Sequence, residues 1–446
     1  MLSALAFAAG FVGLAIAAFA RHPIYGVFLY LATFYVHPPS RWWSAWLPDL
    51  RWALLAAAVA IGATLLHRRA EDDQRGSWLA TVPALVLTLY TAWMWVQVLW
   101  ALDSKAHFEA TVQMTKYLVA FYLIWRVADT PQRLTDVLLF HVLGCFYLGW
   151  IAFGVGLSDG ARLNGVGGPG IDDANSLAMF LGTGAAVGAG LLLQVTGWRR
   201  WACIAAMPFI LNGMILAGSR GAFLGLIAGG AVLFLLRPPE KRWLFWVFAV
   251  VGVASVVSLM DTRFIERMFT VKQAVEDPSE IDGSAENRMV LMEAQLRMFR
   301  SYPFGSGHKG TAALSPQYLE EKWLTRRRDD EPMGRSSHNT FLTTLVEQGI
   351  VGAALYGWLS LWGLTTMFRL KLMQWQGVPF QMRSPAMACC AAIAVVWIAG
   401  LFTDYLLAEV QVWLFALLAS ALALARIHVG APAPSRNAIG RRISAQ

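Results

Sequence analysis

Long apolar runs separated by short polar connections recur along the chain. They lie at roughly 2–20, 23–37, 52–66, 79–101, 111–127, 133–157, 174–196, 200–217, 221–237, 242–260, 350–370, 385–404 and 408–427. Runs of this kind predict helices that cross a membrane, and no alternating pattern of a β-barrel is present. The second and third are short for a full crossing, so about 12 spans are expected, with one early helix tilted or partial. Residues 261–338 are the one long polar stretch. They end in Ser336-Ser337-His338-Asn339-Thr340, where an apolar helix begins at once. The expected fold is an all-α polytopic membrane protein with four parts. N-terminal spans occupy 1–260, a large loop with amphipathic helices 261–338, C-terminal spans 339–428, and a basic tail 429–446.

Composition sharpens this picture. Of 446 residues 57% are hydrophobic and only 14% charged. The first 20 residues lack a basic leader and a clean cleavage site, and read as a retained helix. A net charge of +8 raises the question of nucleic acid, but the excess sits in short loops and the tail, where it sets topology and faces anionic lipid. No nucleic-acid partner is expected. The four cysteines all fall inside apolar runs, so no disulfide framework is implied. The histidines show no pair at metal-ligand spacing, and neither metal nor cofactor is expected.

Alternate connections differ in charge. Those at 67–78, 126–133, 198–201, 237–242 and 369–383, with the tail from Arg426, carry 17 Lys and Arg; those at 37–51, 102–116, 157–174 and 218–221 carry 6. The first set is therefore assigned to the cytoplasm and the long loop to the outer side. On that side Arg41-Trp42-Trp43-Ser44-Ala45-Trp46 reads as an aromatic anchor at headgroup level, with a platform for a lipid substrate as the alternative.

Four polar sites gather at the outer face. Arg162 opens a glycine-rich connection that ends in Asp172-Asp173-Ala174-Asn175. No strand precedes its glycines, so a dinucleotide loop is rejected in favour of a turn with Asp172 or Asp173 capping the next helix. Gly218-Ser219-Arg220-Gly221 is a tight connection whose arginine opposes the positive-inside bias; it either snorkels to headgroups or meets a substrate phosphate, and the cost of a guanidinium there favours the anion. Ser284 to Arg300 reads as an amphipathic helix, with Met289, Met292, Leu296 and Phe299 suiting a face that lies on or between the membrane helices and Arg288 one turn in. Arg288 either reaches toward the site or is one more exposed helix arginine. The run 326–331 reads as a solvated, self-paired charge cluster. Last, serines before Asn339 look like an N-cap, placing His338 at a helix N-terminus. The positive end of that dipole favours neutral imidazole, as a general base requires, and can also hold phosphate. Gly349 and Gly352 are expected to bend this short helix into the next span.

This set resembles the O-antigen ligase and polymerase superfamily of bacterial envelope glycosyltransferases. The resemblance rests on Arg162 with Asp-Asp-Ala-Asn (172–175), Gly-Ser-Arg-Gly-Ala (218–222), and Glu-Asn-Arg (286–288) running to Phe-Gly-Ser-Gly (304–307). Ser-His-Asn-Thr (337–340) and Glu-Gln-Gly-Ile-Val-Gly (347–352) complete it. Residues from Tyr25 to Trp46 also look like O-glycosylation ligases found beside exosortase systems. The resemblance implies a GT-C-like, metal-independent inverting transferase in the bacterial inner membrane, its active site facing the periplasm among membrane lipids. The donor would be an undecaprenyl-diphosphate-linked glycan and the acceptor a sugar hydroxyl of lipid A core. His338 would be the base, Arg220 and Arg288 the diphosphate binders, and Arg162, Asn175 and Asn339 supporting binders. A polymerase or a protein O-glycosylation ligase would differ only in acceptor. A lipid-linked glycan flippase is the reading from another class. The spans are almost free of charge, with Asp404 toward an outer end the nearest candidate, and no internal repeat is seen, which favours an enzyme.

Overall fold

The computed structural model describes residues 1–67, 75–156, 163–259, 283–324 and 334–430. Each of the thirteen apolar runs is a helix there. Before the large loop come α1 (Leu2–Ala20), α2 (Ile24–Val36), α3 (Trp52–Leu66), α4 (Val82–Gln97), α5 (Ser104–Val127) and α6 (Pro131–Val155), followed by α7 (Ala174–Leu192), α8 (Gly197–Ala217), α9 (Arg220–Leu236) and α10 (Arg242–Leu259). The loop contributes α11 (Gly283–Ser301) and α12 (Gly310–Tyr318). The chain then forms α13 (Thr340–Glu347), α14 (Gly349–Trp375), α15 (Phe380–Ala399) and α16 (Glu409–Gly430). Among the described residues there is no strand. Seven helices are long and apolar enough to cross a membrane (α1, α6, α7, α8, α14, α15 and α16), and α3, α4 and α9 are shorter apolar helices. The early shortfall is real: α2 has 13 residues and α3 has 15. Helix α5 starts earlier than its apolar run because the Asp103 side chain accepts from Ala106 N–H at 2.9 Å and caps it.

The bundle is built around α7 and α15, the two most enclosed helices, which pack on each other and on α9. Small residues make this possible. A Cβ added at Gly225 of α9 would sit 2.6 Å from the Val395 carbonyl oxygen, and one at Gly229 would sit 2.9 Å from that of Ala391. The backbones therefore touch along a Gly-x-x-x-Gly face, the packing available to helices in lipid, where apolar surface alone gives no selective attraction.

Outside the bundle, α11 and α12 pack over α13 through Leu291, Ala294, Met298, Leu314 and Val346. This corrects the expected orientation of α11. Met289, Met292 and Leu296 are exposed, only Phe299 is partly buried, and the inward face is Leu291, Ala294, Gln295 and Met298. Both stripes keep helical spacing, so periodicity could not choose between them; small Ala294 lets α11 lie close against its neighbours. In the 41–46 connection Trp42 and Trp46 are exposed, whereas Trp43 is buried, its ring 5.6 Å from that of Phe7. Arg41 is buried too, donating to the Val166 carbonyl at 2.9 Å and so tying this connection to the one before α7.

The segment 303–308 is clamped on two sides. Ser306 and Gly307 N–H donate to the Val346 and Glu347 carbonyls at 3.0 and 2.9 Å, and Ile350 N–H donates to Pro303 at 2.9 Å. From the α4–α5 side, Gln97 Nε2 donates to Phe304 and Glu347 carbonyls at 3.0 and 3.1 Å, and Trp100 Nε1 to Gly305 at 3.1 Å. Gly305 has φ +90°, and a Cβ there would lie 2.4 Å from Gln97 Nε2. Only glycine fits both the dihedral and the space.

Candidate active site at the 400–408 connection

Three of the polar stretches, at Asn175, Gly221 and Thr340, border the connection between α15 and α16, residues 400–408. Thr340, the first residue of α13, donates its N–H to the Gly400 carbonyl at 2.7 Å and its hydroxyl to the Thr403 carbonyl at 2.9 Å. The same hydroxyl oxygen accepts from Tyr405 N–H at 2.8 Å. Tyr405 then reaches across to α7, its hydroxyl donating to the Asn175 carbonyl at 3.0 Å. On α9, Gly221 lies so close to Phe402 that a Cβ would be 3.0 Å from the phenylalanine Cβ. Three helix starts, at Ala174, Arg220 and Thr340, thus border one connection, and each turns the positive end of its dipole to this end of the bundle.

Each start follows from local sequence. Asp173 caps α7, its carboxylate accepting from Asn175 and Ser176 N–H at 2.9 and 3.1 Å, as one of the two expected aspartates. Gly218 ends α8 with φ +60°, Ser219 is the N-cap position, and half-buried Arg220 is the first residue of α9. At α13 the expected cap is corrected. The capping residue is Asn339, whose Oδ1 accepts from Phe341 and Leu342 N–H at 2.9 and 3.1 Å, while the serines lie before it. Asn has the reach and geometry for both amides, and its Nδ2 also donates to the Leu401 carbonyl at 3.2 Å. His338, next to the cap, is exposed. Arg288 belongs to the start of α11, its side chain outside the described residues, and Arg162 and the charge run 326–331 lie outside them altogether.

Two further ionisable groups sit beneath this surface. Glu347, 4% exposed, ends α13. Its carboxylate accepts from Lys309 and Thr311 N–H at 3.0 and 3.4 Å and lies 3.3 Å from His308 Nδ1. Burial lowers the His308 pKa, but the adjacent Glu347 carboxylate, assisted by Asp404, more than offsets this and raises it above its ordinary value. Asp404, in the shared connection, accepts from Leu406 N–H at 3.0 Å. Burial, and then the negative charge of Glu347, push its carboxyl up to about 7. Glu347 stands in a motif that was legible, as the one charge in the otherwise uncharged stretch Thr340–Glu347. Nothing local announced its partners. Among the described residues no three His, Cys, Asp or Glu side chains group as a metal site.

Comparison with known families bears on this arrangement. Residues 205–357 match the family model described as O-antigen ligase. The match takes in Arg220, His338 and Glu347; Asn175 and the 400–408 connection lie outside it. No curated protein matches the chain.

Proposed function

We propose that this chain, whose residues 205–357 match the family model described as O-antigen ligase, transfers a glycan from undecaprenyl diphosphate to a sugar hydroxyl of lipid A core at the periplasmic face of the inner membrane. The observation that carries the reading is the meeting of three helix starts, with Arg220 and the His338 segment, around residues 400–408. Helix dipoles converging beside a guanidinium suit a diphosphate. An exposed imidazole on the same rim suits a hydroxyl nucleophile.

In this mechanism His338 removes the acceptor hydroxyl proton as the oxygen attacks the anomeric carbon. The new C–O bond forms as the bond from that carbon to the diphosphate oxygen breaks, with inversion. The leaving diphosphate keeps the electron pair, and Arg220 and Arg288 neutralise it. Asn175 and Arg162 support the donor, and Asn339 contributes by holding the helix start. A donor anchored in the membrane beside a docked acceptor supplies the proximity advantage. No metal is assigned a role. The many buried Gly and Ala contacts that fuse α7, α9 and α15 favour a rigid interfacial enzyme over a flippase, whose halves must rock.

The test is transfer by the purified protein in detergent with EDTA, from lipid-linked glycan to lipid A core, for wild type, His338→Ala and Arg220→Ala. Product from wild type, lost in both folded variants, supports the assignment. Elongation of the lipid-linked glycan, or modification of a peptide, with no core product moves it to a polymerase or protein ligase. Full activity in His338→Ala removes the base.

A further inference from the structure

Gln295 is 1% exposed on the inward face of α11, an amide among Leu291, Ala294 and Met298. A buried amide is costly unless it is hydrogen-bonded. Its Nε2 donates to Ser337 Oγ at 2.8 Å. Ser337, itself 7% exposed, donates its hydroxyl proton to the Asn339 carbonyl and accepts from Asn339 N–H, both at 3.2 Å. With the bond from Gln295, the one proton and two lone pairs of that hydroxyl are all used. The residue enclosed by these bonds is His338. Its neighbour on one side is tied to its neighbour on the other, and the pair is tied to α11. Arg288 lies two turns before Gln295 along the same helix.

We propose that Gln295 is a positioning residue for the transfer reaction: through Ser337 it fixes the backbone at His338 relative to the helix that carries Arg288. The inference rests on the site reading above. The precision with which the imidazole approaches the acceptor depends on how firmly the backbone that carries it is held. A general base displaced by about 1 Å loses on the order of a hundredfold in rate. Without the Gln295 bond, the turn at 337–339 keeps its local contacts and the Asn339 bond to the Leu401 carbonyl, but it loses its tie to α11, and base and diphosphate-binding helix are no longer held in register.

The experiment uses the full-length purified protein, with lipid-linked glycan as donor and whichever acceptor wild type uses. It compares Gln295→Leu, Ser337→Ala, the double variant, Ser337→Thr and His338→Ala. Gln295→Leu and Ser337→Ala should each lower kcat about 10- to 100-fold, with donor KM within about twofold of wild type. The double variant should be no worse than the poorer single one, because both break the same link. Ser337→Thr, which keeps the hydroxyl, should retain most of kcat. Wild-type kcat in folded Gln295→Leu, a raised KM with unchanged kcat, or multiplying effects in the double variant would each overturn the inference. If Gln295→Leu does not fold, the contrast between Ser337→Ala and Ser337→Thr decides the matter. An inactive His338→Ala beside a fully active Gln295→Leu defeats this inference alone, whereas a fully active His338→Ala defeats the site reading itself.

Discussion

His308 Nδ1 lies 3.3 Å from Glu347 Oε2, joining the turn after the clamped segment 303–308 to the far end of the helix that starts beside His338. The same carboxylate holds Lys309 and Thr311 N–H, so one side chain anchors the turn that leads into α12. Glu347→Ala leaves buried donors without an acceptor and is expected to cost about 2–4 kcal/mol. Glu347→Gln, which keeps an acceptor oxygen, should cost less than half of that. Thermal unfolding in detergent measures both.

Asp404 and His308 give stability a common pH trend. Both hold their protons more tightly in the folded protein than in the unfolded chain, Asp404 up to about 7 against 3.8 and His308 above 6.5. The folded state therefore binds more protons, and stability falls as pH rises. The Asp404 part is lost between about pH 4 and about pH 7, and the His308 part above about pH 6.5. Asp404→Asn should flatten the first window and stabilise the protein at neutral pH by on the order of 1–2 kcal/mol after screening. Glu347→Gln should flatten the His308 window and only reduce that of Asp404, whose rise comes first from burial. Unfolding temperatures measured across pH for the three proteins check this, and an unchanged slope in Asp404→Asn would contradict it.

Gly305 combines a left-handed backbone with a Cβ position already occupied by Gln97 and the Glu347 carbonyl. Gly305→Ala should destabilise by about 2 kcal/mol or more. Gly357, in the middle of α14 with open space around it, is the control. There alanine should be neutral or slightly stabilising, by up to about 1 kcal/mol.

Asn339 separates capping from chemistry. Asn339→Ala removes the cap of α13 and should lower stability by about 1 kcal/mol, together with transfer. Asn339→Ser restores the cap and should recover stability, while losing the Nδ2 bond to the Leu401 carbonyl. Asn339→Asp also caps, but sets a negative charge beside the diphosphate. Its donor KM should rise while its unfolding temperature stays near wild type. Equal donor KM in the Ser and Asp variants would argue against a diphosphate at this helix start.

The helices themselves were legible in the sequence because membrane helices are local objects. Hydrophobic length and intrasegment hydrogen bonding decide them, and every apolar run from Leu2 to Gly430 is helical. Caps were half legible. Asp173 was named, but at α13 several residues could accept the same amides, and only the course of the chain past Leu401 makes Asn339 the one that does. Arg220 and His338 stood out because polar side chains at the ends of apolar helices are few. What only the tertiary structure decided are relations between distant segments. Which stripe of α11 turns inward depends on the shape of α13, not on periodicity, since both stripes repeat alike. The 400–408 connection becomes a hub because α15 is drawn into the centre by glycines of α9 and alanines of its own, which carries Thr403 and Tyr405 to Thr340 and Asn175. Glu347 and Gln295 acquire partners only once that packing brings Lys309 and Ser337 within hydrogen-bond reach. Such contacts are set by the energy of burying polar groups together, which no short window of sequence contains.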